Sequence, residues 1–289
     1  MGIFMRFSDR CVDCLLTRVE FESRLATDDP VIVQNAVESC RLRLQEIMGM
    51  DVPGPIIASI IHRTACAIVN DADPYRVLKS CNNSDAMRVC MEVKNRLRTF
   101  RDMCLAAIIG NTLDYGSKEH KVTNDFTRFF NEEFEKGLTV DDTVRILQKC
   151  ERVVYLCDNC GEIVFDKLLI KYLKCRGSQV TVVAKAAPIL NDATVEDVLN
   201  LGLGDVADQI LPNTTGIPEL GLNMDLLPPE LEQALDRCTL IIAKGMANYE
   251  SLSEYTGLPP VAYLMSVKCE PIAGHLGIPK GSRIAVLKE

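Results

Sequence analysis

Two short apolar runs in this chain end in oxygen-bearing side chains. RVVYLC gives way to Asp158 and Asn159, and QVTVVAK is followed by AAPILNDATVED, which places Asp192 in the connection to the next helical stretch. Two carboxylates and an amide carbonyl are hard donors suited to Mg²⁺, Mn²⁺ or a similar octahedral cation, with water and substrate oxygens completing the shell. Such a cation polarises a phosphoryl group and lowers the pKa of water. Other runs end comparably. VADQILP leads into Thr214, Thr215 and Gly216; CTLIIAK ends in Lys244, with Asn248 close behind; PVAYLMSV leads to Lys268. Lysines here would neutralise equatorial phosphate oxygens. These residues, with Glu162, form the expected substrate-binding set, and Asp158, Asn159 and Asp192 the expected catalytic and metal-holding set.

Each residue also has an ordinary role. Asp158 or Asn159 could cap the helix starting near Gly161, and Asp192 the helix of TVED. Lys244 and Lys268 could be surface lysines. Their shared position at strand ends favours a site, because open parallel sheets bind ligands beyond the carboxyl ends of their strands. An aspartyl phosphatase of haloacid-dehalogenase type needs a second Asp two residues after the nucleophile, and here that residue is Cys160. Attack by metal-activated water is therefore favoured over a phospho-enzyme, with Asp192 and Glu162 as candidate bases.

A rival chemistry comes from the cysteines. Cys157-Asp-Asn-Cys160 is a C-x-x-C at a strand-to-helix junction, and Cys11 and Cys14 form another, which is the pattern of thiol–disulfide redox proteins. Two polar ligands inside the pair bring nothing to a dithiol, and the run of strand–helix units is too long for thioredoxin. Cys11 and Cys14 read first as buried thiols, then as a zinc or disulfide pair. A non-catalytic phosphometabolite-binding protein would use the same pocket without turnover.

The elements that must position these residues change character near residue 150. Segments 11–25, 31–50, 54–69 and 84–110 place apolar residues at three- and four-residue intervals, which predicts helices, with the Asp-Pro pairs of TDDP and DADP at the breaks. LTVDDTVRILQKC predicts one more, with Thr139 as its N-cap. No strand is expected in this half. Beyond it, RVVYLCD, QVTVVAK, VADQILP, CTLIIAK, PVAYLMSV and RIAVL alternate with helical GEIVFDKLLIKYLKC, TVEDVLNLGL and PELEQALDRC. Continuous apolar strands separated by helices predict a parallel-rich sheet covered on both faces. The expected organisation is a helical region or cap over 1–149 and a Rossmann-like α/β metal-binding domain over 150–289.

Composition narrows the partners. A formal net charge of -8 over 289 residues opposes binding to nucleic acid or anionic lipid. No segment has the roughly 18 apolar residues of a membrane span, and the start lacks the pattern of a signal peptide. The expected setting is cytoplasmic, where thirteen scattered cysteines act as small hydrophobes rather than a disulfide framework. The sequons at Asn82 and Asn213 are then chance matches. Nothing in the pattern sets an oligomeric state.

Several segments in this order carry a family resemblance: CDNCGEIVFD, PILNDATVED, KGMANYESL and VKCEPIAGHLGI, together with GNTLDYG from Gly110 and the early CVDC. They resemble the signature segments of the "domain of unknown function 89" family of metal-dependent damage-control phosphatases, in its microbial branch with paired cysteines. The resemblance implies a helical N-terminal part on a Rossmann-like domain and a divalent metal on Asp158, Asn159 and Asp192. It matches Lys268 to a lysine used on phosphate. It further implies small phosphometabolite substrates, sugar phosphates among them, and activity with cobalt, nickel, manganese or magnesium. Here the residues after the KG pair are Met246-Ala247, where fructose-phosphate enzymes often carry an acid, and the lysine segment reads VKCEP rather than the RTxK form of the eukaryotic branch.

Overall fold

The computed structural model describes residues 9–111, 126–253 and 255–289. Its first elements are helices: α1 (Asp9–Ala26), α2 (Pro30–Ile47), α3 (Gly54–Val69), α4 (Arg76–Val93), α5 (Phe100–Gly110) and α6 (Phe126–Lys136). Local chemistry sets their ends. Asp29 caps α2 by accepting the Val31 N–H, with Pro30 at the first helical position. Asn70 closes α3 in the left-handed conformation. The periodic stretch 84–110, expected as one helix, is two. Thr99 and Asp102 form a reciprocal capping box that starts α5 afresh. Apolar periodicity runs through such a break because both helices bury against the same core.

The segment expected as a helix capped by Thr139 is also divided. Val140–Asp141 form a short strand, β1, and only Thr143–Gln148 are helical, as α7. The Thr139 N–H donates to Arg283 O at 2.7 Å, so Thr139 serves the sheet and caps nothing. The expectation of no strand in the first half is corrected by this two-residue element, too short to show a period. Helix α6 was not anticipated, although its Phe126, Phe130 and Phe134 recur at four-residue spacing; Phe130 stacks on Phe165 at 5.2 Å between centroids.

The remaining elements are β2 (Arg152–Leu156), α8 (Glu162–Cys175), β3 (Gln179–Ala184), α9 (Val195–Asn200), β4 (Gln209–Pro212), α10 (Pro229–Arg237), β5 (Leu240–Lys244), α11 (Gly245–Leu252), β6 (Val261–Ser266), α12 (Glu270–Leu276) and β7 (Arg283–Lys288). All six expected strands form, in the order β1-β7-β6-β5-β2-β3-β4. Every pairing is parallel except that of β6 with β7. From β2 the chain moves outward through β3 to β4, then returns to the other side of β2 for β5 and β6. This reversal opens a crevice beyond the carboxyl ends of β2 and β5, the usual ligand position in such sheets.

One apolar core joins residues of α4, α5 and α6 to α8 and one face of the sheet, so it crosses the change of character near residue 150. A second core covers the other face with α10 and α11. Helices α1 to α3 have a core of their own, including Val19, Leu44 and Ile61. The helical half thus contains a separate three-helix layer and a part that belongs to the α/β body.

Candidate metal and phosphate site

Backbone pairing brings the three oxygen donors together. Asn159 and Asp192 form an isolated antiparallel bridge. The Ala193 N–H donates to Asp158 O at 2.7 Å, and the Cys160 N–H to Asn191 O at 2.9 Å. The loop after β3 is thereby stitched to the end of β2. Neither ordinary capping role holds. The residue before α8 is Gly161, with no side-chain cap, and α9 is capped by a reciprocal Thr194–Asp197 box. Asp158 and Asp192 are 6% and 3% exposed.

Their partners are few. Asp158 Oδ2 accepts from Asn111 Nδ2 and Asn159 Nδ2, both at 2.8 Å. Asp192 Oδ2 has no hydrogen bond; Lys185 Nζ stands 3.4 Å away and donates to Gly221 O at 2.9 Å instead. Burial raises the Asp158 pKa well above the ordinary carboxylate value, and neighbouring Glu162 and Asp192 add to the effect against Lys185 and Lys268. Burial likewise pushes Asp192 up to about 6, although Lys185 and Arg18 favour its charge. Two buried carboxylates, an amide and an oxygen without a hydrogen bond fit a hard divalent cation. Among the described residues no group of three or more His, Cys, Asp or Glu side chains converges, so the set is completed by the Asn159 amide and by oxygens from outside the protein.

The expected substrate-binding residues fall in three places. Lys268 is at the site: its ammonium donates to Asn111 O at 2.5 Å and opposes the burial-driven rise of the Asp158 pKa. Glu162, Lys244 and Asn248 lie beneath it. Glu162 Oε1 accepts the Asn159 N–H at 2.7 Å, and Oε2 lies 3.0 Å from Lys244 Nζ. Lys244 is fully buried, reaching Asp166 at 2.7 Å and Ala107 O at 3.3 Å. Burial works against its charge, but Asp166 and Glu162 outweigh it and hold its pKa above the usual lysine value. The expectation that Lys244 meets phosphate is therefore corrected: an ammonium enclosed by two carboxylates and a carbonyl has no path to substrate. Asn248 Nδ2 donates to Lys244 O at 2.7 Å and Cys157 O at 3.1 Å, tying α11 to the ends of β5 and β2. Thr214, Thr215 and Gly216 follow the edge strand β4. Thr214 Oγ1 accepts the Ile217 N–H at 3.0 Å and donates to Ile217 O at 2.7 Å, so its hydroxyl closes a turn. Thr215 and Gly216 are exposed, and no hydrogen bond among the described residues links the three to Asp158, Asn159 or Asp192.

Three contributors are new. Asn111 ends α5 and delivers its amide to Asp158 from the helical half. The approach needs Gly110, where a Cβ would sit 3.0 Å from Glu162 Cα. Lys185, the residue after β3, is 3% exposed beside Asp192. Gly245, at φ 74°, lets the turn after β5 close on Asp158, whose carboxylate any Cβ would overlap. A lysine directly after an apolar strand was a signal for Lys185. GNTLDYG contained Asn111, though residues 112–116 of that motif lie outside the described residues. Cys157 and Cys160 are buried and their thiol pKa values raised, chiefly by burial, which is the reverse of a reactive dithiol.

The chain resembles known proteins over nearly its whole length. The profile of the damage-control phosphatase ARMT1-like domain matches residues 7–284. A protein of Archaeoglobus fulgidus named as a damage-control phosphatase is 38% identical over 291 residues, covering 99% of this chain and 100% of its own. One of Pyrococcus horikoshii with the same name is 27% identical, covering 98% of each chain. The crystal structure of a "duf89 family protein" from Pyrococcus horikoshii superimposes with a TM-score of 0.87 at 26% identity, over 96% of this chain and 97% of that one. With the profile spanning residues 7–284 and a 38% identical relative covered end to end, this chain belongs to the damage-control phosphatase ARMT1-like family.

Proposed function

We propose that this protein hydrolyses phosphate monoesters of small metabolites, sugar phosphates among them, with a divalent cation held by Asp158, Asn159 and Asp192. The observation that carries the reading is the buried, under-neutralised carboxylate pair, Asp158 just beyond β2 and Asp192 in the loop after β3, with Asn159 between them by backbone pairing to Asp192 and an amide hydrogen bond to Asp158. When bound, Mg²⁺, Mn²⁺, Co²⁺ or Ni²⁺ would supply Lewis-acid polarisation of the phosphoryl oxygens and make water more acidic. The chain's own residues do the rest. Asn111 and the Asn159 amide fix the Asp158 carboxylate by two hydrogen bonds. Lys268 offers its ammonium to phosphate oxygens as a point charge, and Lys185 steadies Asp192. Glu162, held by Lys244, accepts the Asn159 N–H and so orients the ligand-bearing turn. Asp192, with one oxygen unbonded, is the better placed of the two candidate bases.

Of the expected cap over 1–149, helices α1 to α3 form the separate layer, while α4 to α6 and β1 join residues 150–289 in the α/β body, where the end of α5 supplies Asn111. No helix among the described residues is long and apolar enough to cross a membrane. Thirteen cysteines, all free, suit a cytoplasmic setting. The test is a phosphatase screen of chelator-stripped protein on a panel of phosphometabolites. Hydrolysis should be absent without metal and return with one of the four cations. Undiminished hydrolysis in excess chelator, with metal content verified as nil, contradicts the reading.

A further inference from the structure

Helix α1 presents a stripe to the α/β body. Cys11, Cys14, Arg18, Phe21 and Leu25 follow one another at three- and four-residue spacing and so share one face of the helix. A neighbouring face carries Leu15, Leu16 and Val19 into the core of the three-helix layer. At the far end of the stripe, Phe21 and Leu25 pack on a cluster that includes Ile189, Leu190 and Ala247. Ile189 and Leu190 lead directly into Asp192, whose N–H donates to Ile189 O at 3.2 Å. Ala247 is in the first turn of α11, just past the Gly245 that closes on Asp158. The near end reaches the opposite flank of the site. Burial lifts the Cys269 thiol pKa to about 11, and the electrostatic influence of Glu250, Cys11 and Cys14 adds to the rise against a backbone hydrogen bond at Ile272. The start of α1 is thus within electrostatic reach of the residue that follows Lys268.

Arg18 stands between these two contacts. At a rise of about 1.5 Å per residue it is roughly 5 Å along the axis from Phe21 and about 6 Å from Cys14. The elements that carry Asp192 and Lys268 therefore bracket it. Arg18 is half-buried, and its charge favours the ionised form of Asp192. Two other cations act on the carboxylate pair, and both have less to offer a ligand. Lys185 is 3% exposed with its ammonium on Gly221 O, and Lys268 already donates to Asn111 O. A guanidinium carries five N–H donors in a planar fork, so it can take a new acceptor while keeping an old one. Phosphate oxygens match that fork in bidentate fashion.

We propose that Arg18 is a substrate-binding residue of this reaction, its guanidinium delivered by α1 to the oxygens of the phosphate at the Asp158–Asn159–Asp192 centre. The phosphate is then gripped from two sides, by Lys268 from the sheet and by Arg18 from the helical layer. Helices α2 and α3 serve the site by holding α1 in place through the core at Leu15, Leu16 and Val19. The inference rests on the phosphatase reading and adds to it a contact that no strand end provides.

Calorimetric titration of inorganic phosphate into the whole protein loaded with Mn²⁺ reads this contact without turnover. Arg18→Gln keeps amide donors but loses the charge and the fork, and should weaken phosphate by about tenfold or more at matched Mn²⁺ occupancy. Arg18→Lys restores the charge without the fork and should recover part of that loss. Mn²⁺ affinity should not fall in either variant, and thermal melts should show both folded. Equal phosphate affinity in the parent and Arg18→Gln overturns the inference and leaves the phosphatase reading standing. A loss that vanishes once Mn²⁺ occupancy is matched also overturns it, because Arg18 would then act only through Asp192. Absence of phosphate binding by the Mn²⁺-loaded parent overturns the inference together with the reading beneath it.

Discussion

Two clusters of buried charge meet at Glu162 and differ in how they are balanced. In the lower one, Lys244 sits within 3.0 Å of Glu162 and 2.7 Å of Asp166, and Asp166 Oδ1 also takes the Tyr155 hydroxyl at 2.7 Å. Asp166 keeps one oxygen without a hydrogen bond, but a cation touches both carboxylates. In the upper one, Asp158 is bonded through its carboxylate to neutral amides, and the cation nearest Asp192 stands off at 3.4 Å. Residue types and depth are alike. What separates a structural ion network from a ligand site is whether the protein itself supplies the counter-charge at contact distance.

The largest expected effect tests that difference by stability. Lys244→Met leaves Glu162 and Asp166 buried without their cation, and losing one partner of such a network costs about 3–5 kcal/mol. Asp158→Asn, in metal-free protein, removes a charge that burial and its neighbours disfavour, and should leave stability unchanged or raised. Urea denaturation of both variants checks this. Asp158→Asn falling as far as Lys244→Met would mean that the upper cluster is as balanced as the lower.

The comparison also shows what the amino-acid pattern reveals. Asp158, Asn159 and Asp192 were legible because a strand end is recognisable from a β-branched run followed by a polar residue. Lys244 met the same criterion and was misplaced: the last residue of a strand points to one face or the other, and parity relative to the core is not visible until the helices pack. Asn111 acts through tertiary closeness to Asp158, 47 residues on, which no local period encodes. The break between α4 and α5 lay in Thr99 and Asp102, a capping pair set inside an otherwise unbroken apolar period.

Lys268 sharpens the upper side of the comparison. Charge-assisted contacts of a partly buried ammonium are worth roughly 1.5–3 kcal/mol. Lys268→Ala should therefore weaken inorganic phosphate binding by about tenfold to a hundredfold, at 1.4 kcal/mol per decade. Metal affinity and melting temperature should hardly move. Phosphate titrations at matched metal occupancy decide; equal affinities would remove Lys268 from the site.

A third cluster offers the smallest effect. Lys79 joins Asp73 at 3.0 Å and Asp197 at 3.2 Å, linking α4 to the capping box of α9. Burial opposes the Asp197 charge, but the Thr194 backbone N–H, Lys79 and the Thr194 hydroxyl together hold its pKa below the ordinary aspartate value. A carboxyl depressed in the folded state contributes stability that is complete above its unfolded pKa of about 3.9 and is lost as pH falls through the folded value. Asp197→Ala should cost about 1 kcal/mol at pH 7, and the gap from the parent should narrow below about pH 4. An undiminished gap at low pH would assign the loss to packing.

The central claim concerns where a cation binds, and anomalous diffraction from crystals soaked in manganese tests it most directly. The account predicts one strong peak at about 2.0–2.3 Å from oxygens of Asp158, Asn159 and Asp192, with water filling the remaining positions, and no such peak in Asp158→Asn. A peak elsewhere in the parent, or those three side chains turned apart around an empty centre, would contradict it.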